Sequence, residues 1–219
     1  MVDYLFYILF IIILYFYASI IEWYWHKNIL HSKTPFNNKY LERQRTIHIN
    51  HHKYTEHDMS INNKDDKALF FDIYNYIIFN ILGIIILIPY LFIINILNNI
   101  SYYNIIVYCI IILIFSLLYI YLFNNMHRIS HKDKNKDNWL YNTSYYKWFE
   151  FNHTMHHLRR GDDRKSNYNF NFPFADYFFS TFNEKADNKE HCKNNDDKEL
   201  ICDPNCEDIS ETYNKILCS

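Results

Sequence analysis

Ten of the twelve histidines in this 219-residue chain fall into four short clusters: His26-x4-His31, His48-x2-His51-His52, His127-x3-His131 and His153-x2-His156-His157. Imidazole is the commonest protein ligand for transition metals and coordinates them without charge. At 12 histidines in 219 residues, one His-x-x-His-His is expected by chance about 0.04 times, and the chain has two. On a helix, residues three and four apart share a face. His48, His51 and His52 therefore fan across one face, as do His153, His156 and His157, while His127 and His131 stack one turn apart. His26 and His31, five apart, would splay by about 140° on an ideal α-helix. They either address different ions or sit where the helix frays on leaving a membrane. A first-row ion takes four to six ligands, so ten imidazoles fit two ions close together better than one.

Imidazole-rich sites without thiolates suit iron, zinc, copper or nickel. The membrane setting narrows the choice. A pair of redox metals at a bilayer surface can activate dioxygen and attack unactivated C–H bonds of a lipid, whereas zinc cannot change oxidation state. Iron is expected in the working protein, and zinc could occupy the same site in purified material.

The elements that must position these clusters are read from the segregation of charge. Tyr4 to Ile21 and Ile73 to Met126 contain no Asp, Glu, Lys or Arg. A bilayer core about 30 Å thick needs about 20 apolar helical residues. Spans are expected near 3–22, 69–88 and 103–124, with 89–102 as an interfacial turn where Asn95, Asn98, Asn99 and Ser101 collect. The first stretch lacks a basic n-region and a small-residue cleavage site, so it reads as a span rather than a cleaved signal. Two crossings between the second and third clusters return the chain to the side it left. All four clusters can therefore share one face. Lys and Arg outnumber Asp and Glu by 8 to 5 over residues 23–67 and by 9 to 6 over 127–182, while the 89–102 link carries none, so the positive-inside rule makes that face cytosolic. The expected fold is all-α: an integral-membrane helical bundle with a cytosolic histidine-rich helical cap over residues 1–182. Residues 183–219, with 5 basic against 10 acidic side chains, read as an acidic flexible tail. An odd count of five cysteines, at 109, 192, 202, 206 and 218, offers no disulfide framework.

The clusters resemble those of the fatty acid hydroxylase and sterol desaturase superfamily of membrane di-iron enzymes. EWYWHKNILH (Glu22 to His31) is similar to that family's opening segment. HINHH and HTMHH are similar to its two His-x-x-His-His boxes, and HRISH to its intermediate box. NYNFNFPFADYFFST (Asn167 to Thr181) resembles its Asn-Tyr-Gly, Pro, Asp, Phe-Gly-Thr ending, with Asn169 and Ser180 standing where glycines are usual. The resemblance covers roughly residues 20 to 182. It implies the ten boxed histidines as metal ligands, two irons, dioxygen and two electrons per turnover, and a location in the endoplasmic reticulum membrane. The x4 opening and the separate x3 third box favour the fatty acid hydroxylase branch, acting on the acyl chain of a fatty acid or sphingolipid. Sterol, sphingoid-base and other lipid desaturases or oxidases are the alternatives within the superfamily. The chain has no room for a fused cytochrome b5 domain and no His-Pro-Gly-Gly segment. A separate cytochrome b5-like donor with its reductase is therefore implied, and no nucleic acid partner is expected.

Other residues carry weaker signals. Glu22 lies one turn before His26 and either orients it as an acceptor or merely ends the first span. Asp176 matches the closing motif, with a helix-capping role as the plainer reading. His57 and His191 read as solvent-facing or incidentally packed. Arg159, Arg160, Arg164 and Lys165 read as positive-inside anchors, with docking of an acidic electron donor as an additional role. A b-type cytochrome would need histidines within the spans. A metal transporter would need ionisable ligands there, and Ile73 to Met126 has none.

Overall fold

A computed structural model describes residues 2–32, 38–55, 59–61, 71–97, 100–131, 139–158 and 166–182. Its helices are α1 (Val2–Trp25), α2 (Lys39–Tyr54), α3 (Ile73–Leu97), α4 (Tyr102–His131), α5 (Ser144–Leu158) and α6 (Phe174–Phe178). A π-helical turn (His26–Leu30) continues α1, and a 3-10 turn (Trp139–Asn142) precedes α5. The only β pairing among the described residues is an isolated bridge between Thr55 and Ile61. The expected basic run at 159–165, His57, His191, the four cysteines after residue 190 and the tail from 183 lie outside the described residues.

Three helical stretches, Tyr4–Leu30, Ile73–Leu97 and Tyr102–His131, are long and apolar enough to cross a membrane. In each, only 22% of the most apolar window is buried. Ile8, Ile12, Ile81, Ile88, Phe92, Leu113 and Leu117 all point outward. Water would not tolerate so continuous an apolar coat, but hydrocarbon suits it. Within the bundle, Phe71 stacks on Phe123 at 4.0 Å between ring centroids, Phe79 meets Tyr119 at 4.5 Å, and Tyr90 meets Tyr108 at 5.5 Å. Rising numbers on α3 meet falling numbers on α4, so the two form an antiparallel hairpin. α1 runs parallel to α4: Tyr7 bonds Asn104 at 3.0 Å, Phe10 meets Tyr108 at 5.1 Å, and Glu22 accepts from Tyr119.

The second span corrects the expected turn at 89–102. α3 runs on through Pro89 to Leu97, and α4 begins at Tyr102. Packing explains the extension. Tyr90 and Ile94 join Phe10, Leu14, Leu87, Tyr108 and Ile112 in one buried cluster, and the Tyr90 hydroxyl donates to the Phe6 carbonyl at 2.5 Å. Asn95, placed in the turn by composition, sits inside the helix. The 30 residues of α4 cover about 45 Å, well beyond a hydrocarbon core of about 30 Å. Its last turns therefore leave the apolar zone and carry His127 and His131 into the cap.

The cap is made by α2, α5 and the strap of residues 166–182. α2 starts at Asn38, whose side-chain oxygen accepts from Tyr40 and Leu41 N–H. A second apolar cluster, with Phe123, Met126, Ile129, Leu140, Tyr146, Phe149 and Phe170, seats α5 on the end of α4. Gly83 lets α3 lie close against α4, since a Cβ there would lie 2.6 Å from Cγ2 of Ile112. Gly83→Leu should therefore lower thermal stability in detergent by an amount in the usual overpacking range of about 1–3 kcal/mol. Adding Ile112→Ala should recover part of the loss. An unchanged melting temperature in Gly83→Leu would show that the helices do not meet there.

Candidate metal centre

The ten boxed histidines converge at the end of the bundle where α1 and α4 finish. They divide into two groups of five, each able to hold a metal ion: His26, His31, His48, His52 and His156, and His51, His127, His131, His153 and His157. In each group the ligand atoms all lie within 4.8 Å of one another. Helical geometry does the sorting. On α2, His48 and His52 stack one turn apart at 4.6 Å between centroids and face the first group, while His51 turns to the second. On α5 the roles reverse: His153 and His157 stack at 4.5 Å and face the second group, and His156 crosses to the first.

The remaining ligands come in pairs from the ends of two spans. His127 and His131, four apart on α4, sit with ring centroids 4.9 Å apart. His26 and His31 also belong to one group, although an α-helix would splay them. The backbone resolves the conflict by widening. Residues 26–30 form a π turn closed by the His31 N–H on the His26 carbonyl at 3.1 Å, an i to i+5 bond that stacks residues five apart. Their Nε2 atoms come to 3.2 Å. The two histidines therefore belong to one group rather than two, and the helix is rewound there rather than frayed.

Hydrogen bonds settle which nitrogens face inward. Nδ1 of His26 lies 2.6 Å from the Tyr168 carbonyl, and Nδ1 of His156 lies 3.0 Å from that of Ser166. In the second group, Nδ1 of His131 lies 2.9 Å from the Met59 carbonyl. A carbonyl only accepts, so each Nδ1 is the protonated nitrogen and each neutral ring turns a bare Nε2 lone pair to the centre. Nε2–Nε2 separations in the first group are 3.0 Å for His26–His48, 2.9 Å for His48–His31, 3.0 Å for His31–His156 and 3.1 Å for His156–His52. In the second group His131 and His153 stand 2.7 Å apart. Two nitrogens bound at right angles to a metal at 2.0–2.1 Å would be about 3 Å apart. Lone pairs crowded to this spacing repel one another, and a cation between them removes the repulsion. The residues fit metal ions.

Burial, and then mutual repulsion among the rings, holds the pKa values of His48, His52, His153 and His157 well below the ordinary 6.5. Neutral rings are what metal coordination needs.

The strap of residues 166–182 closes the centre. Phe170 stacks on His26 at 4.6 Å and also lies 5.1 Å from His153, touching both groups. Asp176, fully buried, accepts from the N–H groups of Tyr168 at 3.0 Å and Asn169 at 2.6 Å and from the Thr181 hydroxyl at 2.7 Å. The expected capping of α6 is corrected: that helix has no side-chain cap, and the Asp176 carboxylate binds the strap instead. Glu22 corrects one expectation, since it does not orient His26 directly. Both ring nitrogens of His26 are engaged elsewhere, and the Glu22 carboxylate accepts from Asn171 N–H at 3.2 Å and from the Asn169 side chain at 3.3 Å. It fastens the strap to α1. Asn169, where the resembled family carries glycine, needs no left-handed backbone, whereas Ser180 does adopt it at φ 54°, as does Asn167 at φ 56°. Sequence reasoning missed the carbonyls of Met59, Ser166 and Tyr168 because every residue type has one. The chain matches no known family model, no curated protein and no solved structure.

The depressed imidazole pKa values fix the sign of a pH effect. In the unfolded chain these rings take up protons from about pH 6.5 downward, while the folded ones resist until well below it. The metal-free fold therefore keeps their full contribution above about 6.5 and loses it as pH falls through the folded values. Thermal melts of chelator-treated protein should be flat from pH 8 to 7 and move to lower temperature below about pH 6.5. A melting temperature that rises on acidification from pH 7 to 5 would contradict neutral, buried rings.

Proposed function

We propose that this chain is a dioxygen-dependent di-iron membrane oxygenase that hydroxylates the acyl chain of a lipid. The observation that carries the reading is the pair of five-imidazole groups, side by side at one end of a bundle with membrane-length apolar helices. The likeness of the histidine boxes and of the Asn167 to Thr181 segment to the fatty acid hydroxylase and sterol desaturase superfamily supports it. When bound, two redox-active ions would supply the activation of dioxygen that an unactivated C–H bond requires.

The protein's own part is to hold and to exclude. The ten imidazoles would hold the ions and, being neutral, would leave their positive charge undiminished for the redox chemistry they supply. The ring of Phe170 and its neighbours Phe123, Met126 and Phe149 keep water from the apolar side of the centre, which favours attack on a C–H bond over side reactions with solvent. The outward apolar faces of α1, α3 and α4 let a lipid lie against the bundle with its chain beneath the cap. Electrons come from a separate cytochrome b5-like donor and its reductase, on the cytosolic face of the endoplasmic reticulum membrane.

Expression in a host that lacks its own lipid hydroxylase, followed by lipidomics, should reveal acyl chains one oxygen atom heavier. His51→Ala or His156→Ala should abolish that product and lower the metal content of protein that still folds. A product unchanged by either substitution, or metal flux into vesicles without product, would refute the oxygenase.

The topology has its own check. In a cysteine-depleted chain, single cysteines in place of Glu42 and Lys147 should label from the cytosol, and one in place of Ser101 from the opposite side. Opposite labelling of Glu42→Cys and Lys147→Cys would break the shared centre, since ligands cannot meet across about 30 Å of hydrocarbon.

A further inference from the structure

The two histidine groups are similar in composition but are fastened to different parts of the chain. In the first, His26 and His156 each give an Nδ1 proton to a carbonyl of the strap, those of Tyr168 and Ser166. In the second, His131 gives its proton to Met59, in the loop closed by the Thr55–Ile61 bridge. The strap meets the second group through the ring of Phe170, 5.1 Å from His153 and 5.7 Å from His127. That contact is apolar and sets no ring orientation by hydrogen bonding. Asn152, next to His153, does donate to the Asn169 carbonyl at 2.5 Å. However, α5 is independently seated by Tyr146 and Phe149 in the core beneath it.

The path of the strap depends on Asp176. Its two carboxylate oxygens take three donors, two of them the backbone N–H groups of Tyr168 and Asn169. The Asn169 side chain returns an acceptor to the Asp176 N–H at 2.9 Å, and the Asn167 N–H bonds the Thr181 carbonyl at 2.8 Å. Without the carboxylate, two buried N–H groups lose their acceptor beside the very carbonyl that holds His26. The peptide planes at 166–169 would then turn to find other partners, and the His26 and His156 rings would follow.

We propose that Asp176 is a positioning residue for one metal site only: it allows the site of His26, His31, His48, His52 and His156 to be emptied while that of His51, His127, His131, His153 and His157 stays loaded. This rests on the two-ion reading above. Loss of a group that orients a metal ligand typically weakens metal holding by about 10–100-fold, and that loss falls on the site whose rings the strap orients.

The test uses the full chain, purified in detergent, loaded with ferrous iron under argon and counted for metal by elemental analysis. The parent should hold two ions per chain and Asp176→Ala one, with helicity unchanged. Pairing variants identifies which ion remains. Asp176→Ala with His26→Ala should still hold one ion, whereas Asp176→Ala with His131→Ala should hold none. A merely structural role would instead deplete both sites together. Two ions, or none, in folded Asp176→Ala would overturn the proposal while leaving the two-ion reading intact. Fewer than two in the parent would overturn both. Should Asp176→Ala fail to fold, Asp176→Asn keeps the volume but offers one acceptor oxygen in place of two. Removal of iron from it by a chelator should then show one phase about 10–100-fold faster than in the parent and the other unchanged. Equal acceleration of both phases, or of neither, would overturn the proposal.

Discussion

Two sets of five imidazole lone pairs must each be brought within a few ångströms while the rings stay neutral, and most of the architecture follows from that demand. Each group draws two imidazoles from the end of one membrane-length helix, two from one cap helix and one from the other. α1 and α4 supply His26 with His31 and His127 with His131, while α2 and α5 exchange their contributions. A His-x-x-His-His box suits this exchange because its i and i+4 members share an azimuth and its i+3 member is rotated toward the neighbouring ion. The result is a pseudo-symmetric pair of sites.

The bundle below serves that geometry. α3 and α4 form a hairpin that carries the chain away from the cap and back, so that α4 ends beside α1. The contacts that set its register are large aromatic rings and one close approach at Gly83. The outer surfaces are apolar side chains with few internal contacts. Polar bonds are concentrated at the other end, where Ser19 and Glu22 of α1 meet Asn169, Asn171, Phe172 and Ala175 of the strap. In a low-dielectric setting such bonds are strong when complete and costly when broken.

Much of this was legible in the residues. Histidine spacing announced clusters able to hold metal, and the uncharged stretches announced three helices long and apolar enough to span a membrane, because ligand chemistry and hydrocarbon thickness both leave a mark on residue type. What was not legible was set by tertiary packing. Asn95 and Pro89 looked like a turn, yet Tyr90 and Ile94 had partners on α1 and α4 that kept the helix going. The spacing of His26 and His31 looked wrong for a shared ion, and only a π turn, which has no sequence signature, makes it right. Glu22 was recognised as relevant, but its true partners lie 147 and 149 residues further on. The carbonyls of Met59, Ser166 and Tyr168 carry no residue code at all.

The division of ligands also governs how the centre comes into being. Before α5 has been synthesised, the first group consists of His26, His31, His48 and His52, and the second of His51, His127 and His131. Such partial sets lack the strap and are open to whichever divalent ion the surroundings hold, copper and zinc binding imidazole more tightly than iron does. His156 and His157 complete the two groups one residue apart, on a single helix of fifteen residues. Both groups therefore reach five imidazoles in a single step, when α5 docks.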